Sequence, residues 1–207
     1  MIIYDLSPQI HESMVVYKDK VQKKPRLTVT RTIRDGSNES KLEMESHTGS
    51  HADAPFHFLQ KGKKIDEVLL EKFFGDCVVL DFCNAGPAIN ESHLKAKSGM
   101  VKKGDIVLLK SKRKQSASFD FDFTYLDKSG AAFLASLKIN AVGIDSLGIE
   151  RNQKNHETHK ILLQKEIIIF EGLELARVAQ GRYKFYGFPL KIKNADASPI
   201  RAVLVKE

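Results

Sequence analysis

The chain has 207 residues, 42% of them apolar, with 33 basic against 26 acidic side chains and a formal net charge of +7. That length suits one domain, 1–207, large enough to bury a core, and no stretch approaches the roughly 20 apolar residues of a membrane span. The start, Met1-Ile2-Ile3-Tyr4-Asp5-Leu6-Ser7, lacks a basic region followed by an apolar one and a cleavage site, so a cytoplasmic protein is expected, with no membrane partner.

Residues 2–6 read as a strand closed by the Ser7-Pro8 turn. Met14-Val15-Val16-Tyr17 is a second short apolar run, and residues 21–25 form a polar, basic loop. Arg26 to Ile33 alternates and is rich in β-branched residues, as a strand should be. Asp35-Gly36-Ser37-Asn38 is a turn, and Ser40 to Ser46 a strand that leads into the next run.

That run is His47-Thr48-Gly49-Ser50-His51-Ala52-Asp53-Ala54-Pro55-Phe56-His57-Phe58. It holds three of the seven histidines and one aspartate, side chains that bind transition metals and move protons near neutral pH. His47, His51, Asp53 and His57 all stand at odd positions, so an extended chain puts them on one face. A helix would separate Asp53 and His57 from the first two, and Gly49 and Pro55 disfavour one. A straight strand from His47 to His57 would span roughly 33 Å, far too long for one ion. The run must therefore bend, and Gly49 and Pro55 are the places to bend it. A surface loop with scattered histidines is the competing account, and the shared parity tells against it.

After Phe58, Gln60-Lys61-Gly62-Lys63 breaks the pattern, and Ile65 to Phe73 is read as a short helix. Cys77 to Phe82 is a strand. Cys77 and Cys83 would lie about 20 Å apart along it, too far for a disulfide, so both are expected as buried free thiols. Asn90 to Lys97 suits a helix capped by Asn90. Ile106 to Lys110 is a strand, while Ser111 to Phe123 has no assignment beyond surface loop. Ser129 to Leu137 suits a helix, Asn140 to Asp145 a strand, Asn155 to Lys165 a helix, and Glu166 to Glu171 a strand. Lys184 to Lys191 and Ile200 to Lys206 read as two strands joined by a polar turn. The class is α/β with a mixed sheet and few helices.

The basic residues are dispersed, from Lys18 and Lys20 through Lys61 to Lys64 and Lys110 to Lys114 to Lys193, which reads as solvated surface rather than a nucleic-acid stripe. Only Tyr183 to Tyr186 interleaves aromatic and basic residues as an RNA surface would. Glu171 breaks an apolar run, and a carboxylate ending a buried strand needs a partner or an ion. A strand running back along the preceding helix would return Glu171 towards His159. A salt bridge is the simpler account of Glu171, and His156, three residues before His159, is its rival as a ligand.

The His47–Phe58 run resembles the signature of the cyclase family of metal-dependent hydrolases, best known for the bacterial-type kynurenine formamidases. That pattern is roughly His-x-Gly-Thr-His-x-Asp-x-Pro-x-His-Phe, with Ser50 here in place of Thr. Further blocks match in order over nearly the whole chain. They are Tyr4-Asp5-Leu6-Ser7, Gly143-Ile144-Asp145-Ser146, His159-Lys160-Ile161-Leu162-Leu163, Phe170-Glu171-Gly172-Leu173, Phe188-Pro189-Leu190 and Ser198-Pro199-Ile200-Arg201-Ala202.

The resemblance implies the swivelling β/β/α fold, a homodimer and one or two metal ions. His47, His51 and Asp53 would hold the first ion, and Asp53, His159 and Glu171 the second. It favours His159 over His156, because the family's histidine precedes a basic residue and two leucines. Zn²⁺ is the expected ion, with Mn²⁺ compatible. His57 would be the acid/base and not a ligand. Metal-bound hydroxide would attack the carbonyl of a small non-peptide amide, a formamide or a cyclic amide such as an isatin-like lactam. Tyr17 matches the family's ring-stacking aromatic, usually Trp, although Lys18-Asp19-Lys20 replaces the Pro-Gly-Asp that often follows it. Tyr17 as a plain core aromatic is the alternative. Asp145 receives no role beyond supporting a histidine or capping a turn. The rival class is a non-catalytic metal-retaining or nucleic-acid-binding module, and His57 argues against it, since storage needs no spare base.

Overall fold

The computed structural model describes residues 1–112, 117–151 and 153–206. In chain order its strands are β1 (Ile2–Asp5), β2 (Arg26–Arg31), β3 (Glu39–Glu43), β4 (His51–Asp53), β5 (Phe74–Asp81), β6 (Ala88–Ile89), β7 (Ile106–Lys110), β8 (Tyr125–Leu126), β9 (Ala141–Ile144), β10 (Ile168–Glu171), β11 (Gly181–Tyr186), β12 (Ala197–Pro199) and β13 (Val203–Lys206). The α-helices are α1 (Glu91–Lys95), α2 (Lys128–Ser136) and α3 (Glu157–Leu163). Nine strands make one mixed sheet, ordered β1-β13-β11-β5-β7-β9-β10-β4-β12. It curls into a half-barrel, and the whole is a single α/β domain.

The middle of the sheet follows from composition. β5, β7, β9 and β10 are parallel, and they carry the chain's longest apolar runs. A parallel strand is covered on both faces, so it reads as a continuous apolar run rather than an alternating one. Val79, Leu108 and Phe170 face a core shared with Phe185 and Leu204. Val78, Leu80, Val107, Leu109 and Ile169 face Leu94, Leu134 and Leu162 of the three helices, which lie in the crossovers between these strands.

Helix α1 is capped as expected, with Asn90 Oδ1 accepting from His93 N at 3.1 Å. Helix α2 starts one residue early because Asp127 is its cap, accepting from Gly130 N at 2.8 Å. Helix α3 starts late because Asn155 and His156 take left-handed φ values of 62° and 52°.

Some expectations need correction. Residues 65–73 form two 3₁₀ turns, Ile65–Glu67 and Leu70–Lys72, not one helix. Val68 and Leu69 between them are extended, and Leu69 and Leu70 are exposed, so no continuous apolar face exists to dock a helix. The C-terminal pair β11 and β13 is joined by more than a polar turn, since β12 lies between them and pairs with β4. The aromatic and basic interleaving at Tyr183 to Tyr186 is strand alternation: Tyr183 and Phe185 are buried, so their faces are closed to bases. Both cysteines are free, as expected, but Cys83 is only half-buried.

Residues 113–116 of the basic run and of the unassigned 111–123 segment lie outside the described residues. Among the described residues no helix is long and apolar enough to cross a membrane.

Candidate metal centre

Strand β4 is the seat of the cluster. It lies between β10 and β12, with His51 opposite Glu171 and Pro199, and Asp53 opposite Ile169 and Ala197. Alternation holds across these three residues: Ala52 packs into the core, while His51 and Asp53 meet the other cluster side chains. The bends fall where the sequence places them. Gly49, at φ +64°, turns the chain so that His47 comes back over His51, with ring centroids 4.9 Å apart. Pro55 opens a 3₁₀ turn, Pro55–His57, that presents His57 with its ring centroid 4.2 Å from that of His47.

Glu171 ends β10 and returns to the start of α3, as its position after the helix requires. His159 Nε2 lies 3.4 Å from Glu171 Oε1 and 3.6 Å from Asp53 Oδ2. His51 Nε2 lies 3.4 Å from Glu171 Oε2 and 3.6 Å from Asp53 Oδ1, which is also 3.1 Å from His47 Nδ1. Gly172 makes the junction with the loop possible. At φ +69°, any Cβ there would stand 2.6 Å from the Gly49 carbonyl oxygen. Gly172→Ala should therefore cost about 2 kcal/mol in backbone strain and overpacking, read as a lower urea midpoint at unchanged slope.

Charge dominates the site. Asp53 and Glu171 are buried, and Asp53 is fully enclosed. Burial would raise the Asp53 carboxyl, but His159 and His47 hold it well below its usual range. Burial and Asp53 would raise Glu171, yet the His159 and His51 imidazoles bring it down. Burial would lower His47, but the carboxylates of Asp196 and Asp53 raise it to about 10. A raised histidine stabilises the fold fully below its unfolded pKa and loses that contribution as pH climbs through its folded one. The ion-free protein should thus melt at progressively lower temperature from about pH 6.5 to about pH 10, a trend that thermal melts in chelator would reveal.

The donor set fits a divalent ion. His51 Nε2 and both Asp53 carboxylate oxygens are buried and have no hydrogen bond. A buried carboxylate left so is costly, and an ion among His51, Asp53 and their neighbours would satisfy all three atoms. His51 Nδ1 donates to the Gly49 carbonyl oxygen at 2.9 Å, which aims Nε2 at the cluster. Potential ligand atoms of His47, His51 and Asp53 lie within 4.8 Å of one another, and so do those of Asp53, His57 and His159.

His156 and His159 part company. His159 is buried in the cluster, whereas His156 precedes α3, is largely exposed and binds Glu150 Oε1 at 2.5 Å. They do not share a helix face, because His156 has left the helix. Asp145 joins strand ends: it accepts from Ser111 N at 2.9 Å and from Ser111 Oγ at 2.5 Å. A cavity of about 240 Å³ opens over His47, His51, His57, His159 and Glu171. Tyr17 stands in its wall, 36% exposed, with its ring edge-on to Phe119 at 5.0 Å, so it is not a plain core aromatic.

Two carboxylates of the site escaped the sequence reading. Glu150 is buried, with Oε2 accepting from His159 N and lying 3.2 Å from His159 Nδ1. Asp196 accepts from His57 Nδ1 at 3.0 Å and His47 Nε2 at 2.9 Å. Asp196 had one available signal, its place just before the Ser198-Pro199-Ile200 block.

A half-barrel with a buried His/Asp/Glu cluster at the β4 strand is the architecture of a metal-binding active site. The chain belongs to the family described as "Putative cyclase", whose model matches residues 4–151. It is 30% identical over 203 residues to the kynurenine formamidase of Polaromonas naphthalenivorans, covering 98% of this chain and 90% of the relative. The kynurenine formamidase of Bordetella petrii is 30% identical over 207 residues, covering 98% and 97%. A solved structure described as a "predicted metal-dependent hydrolase" from Bacillus stearothermophilus superimposes with a TM-score of 0.88 at 37% identity, covering 98% of this chain and 97% of that one. Isatin hydrolase A from Labrenzia aggregata shares the fold at a TM-score of 0.86 and 21% identity, covering 100% and 94%.

Proposed function

We propose that this protein is a metal-dependent hydrolase of a small non-peptide amide, a formamide or a cyclic amide. The observation that carries the reading is the set of buried ligand atoms without a hydrogen bond, His51 Nε2 and the two Asp53 oxygens, beside a cavity that also holds His57. His47, His51 and Asp53 form one donor set, and Asp53, His159 and Glu171 a second that shares Asp53. Nitrogen and oxygen donors favour Zn²⁺, and the carboxylates of Asp53 and Glu171 keep Mn²⁺ compatible. A divalent ion here supplies a Lewis acid for the carbonyl and a hydroxide near neutral pH.

The chain's own residues do the rest. His57 takes up a proton and returns it to the leaving nitrogen. Val16, Phe58 and Leu147 line the cavity with apolar surface and limit water. The names of the relatives support an aryl formamide first, and an isatin-like lactam is the other arm of the test. The test is a hydrolysis screen over formamides and lactams, with elemental analysis of the same sample. Metal-replete protein that turns over none of them overturns the reading.

Tyr17 reads the substrate ring. Its face is worth about 0.5–1.5 kcal/mol beyond area burial in such a stack. Tyr17→Ala should therefore lower kcat/KM for formanilide by roughly 2- to 13-fold and leave plain formamide nearly unchanged. Equal losses on both would mean that Tyr17 does not read the ring.

A further inference from the structure

Asp196 lies outside both proposed donor sets, in the segment that enters β12. One of its oxygens serves two rings: Oδ2 accepts from His47 Nε2 at 2.9 Å and from His57 Nδ1 at 3.0 Å. Its other oxygen accepts from Ser46 Oγ at 3.0 Å. Its carbonyl oxygen accepts from Ala54 N at 2.9 Å, one residue beyond Asp53. The preceding carbonyl, that of Ala195, accepts from Ile65 N at 3.0 Å. The carboxylate is thus pinned from several directions before it touches either histidine.

A carboxylate accepts and does not donate, so each ring must present N–H to it. On His57 this fixes the proton at Nδ1 and leaves Nε2 as the nitrogen that exchanges protons. On His47 it fixes a proton at Nε2 and leaves Nδ1 facing Asp53 Oδ1, 3.1 Å away, where the ion-free ring carries a second proton and a bound cation would take that proton's place. The His47 orientation therefore also suits a metal donor at Nδ1. We propose that Asp196 is the positioning residue of the site, setting complementary tautomers on His57 and His47 through one shared oxygen. The role given to His57 rests on the hydrolase reading, whereas the tautomers do not.

The merely structural alternative is that Asp196 only ties the β12 segment to the body of the domain. It predicts no tautomer preference, and it predicts loss of stability rather than of turnover. The experiment is histidine ¹⁵N NMR at alkaline pH on the zinc-loaded full chain, with kinetics on formanilide at saturating Zn²⁺. In the wild type, His57 should show a protonated Nδ1 and a bare Nε2. In Asp196→Ala the fixed tautomer should be lost, and kcat should fall about 10²- to 10³-fold while KM changes less than about threefold. Asp196→Asn can turn its –NH₂ towards the rings and reverse the tautomer, so it should not restore turnover above that of the alanine variant.

A wild-type His57 protonated at Nε2 overturns the proposal, whether or not the alanine variant folds. So does a folded Asp196→Ala protein whose kcat is within about threefold of wild type. The expected NMR pattern in a protein that hydrolyses no amide would sink the hydrolase reading and leave the positioning intact.

Discussion

Replacing Asp53 with Asn should strip the protein of metal and turnover together. Asp53 is fully buried, and its two oxygens reach His47, His51 and His159, so it belongs to both proposed donor sets. Asn has the same shape but removes the charge and turns an –NH₂ towards a site built of donors and acceptors for a cation. Outer ligand partners typically cost about 10–100-fold in metal affinity, and a shared inner carboxylate should cost more. Elemental analysis after gel filtration, run beside the amide assay, reads both effects. An Asp53→Asn protein that keeps full metal occupancy would show that the ion, if any, sits elsewhere.

His57→Ala should separate the two properties. His57 contacts Asp196 and the cavity, and the unpartnered donor atoms belong to His51 and Asp53 instead. Its loss should lower kcat by about 10²–10⁴, the usual worth of a general acid/base, with metal content unchanged. A His57→Ala protein that comes off the column without metal would make His57 a ligand and reassign the roles.

The early half of the site was legible because its residues sit close together under a strict parity, with Gly49 and Pro55 marking the bends. Glu171 was legible because a carboxylate at the end of an apolar run stands out. Asp196 is another matter. It lies 139 positions from His57, and β12 delivers it, a three-residue strand too short to show a period. Glu150, in Gly148-Ile149-Glu150-Arg151, has the composition of a surface turn, and only its burial reveals it. The central strands could be read from their apolar runs, whereas residues 65–73 offered helical spacing without a face to dock.

The position of β12 bears on synthesis. The histidine run leaves the ribosome early, and both neighbours of its strand β4, β10 on one side and β12 on the other, are made later in the chain. At roughly 5–20 residues per second, the 139 positions from His57 to Asp196 take on the order of 7–30 s. Throughout that interval β4 has at least one open edge. The candidate site is therefore completed late, when the segment entering β12 brings Asp196 to His47 and His57.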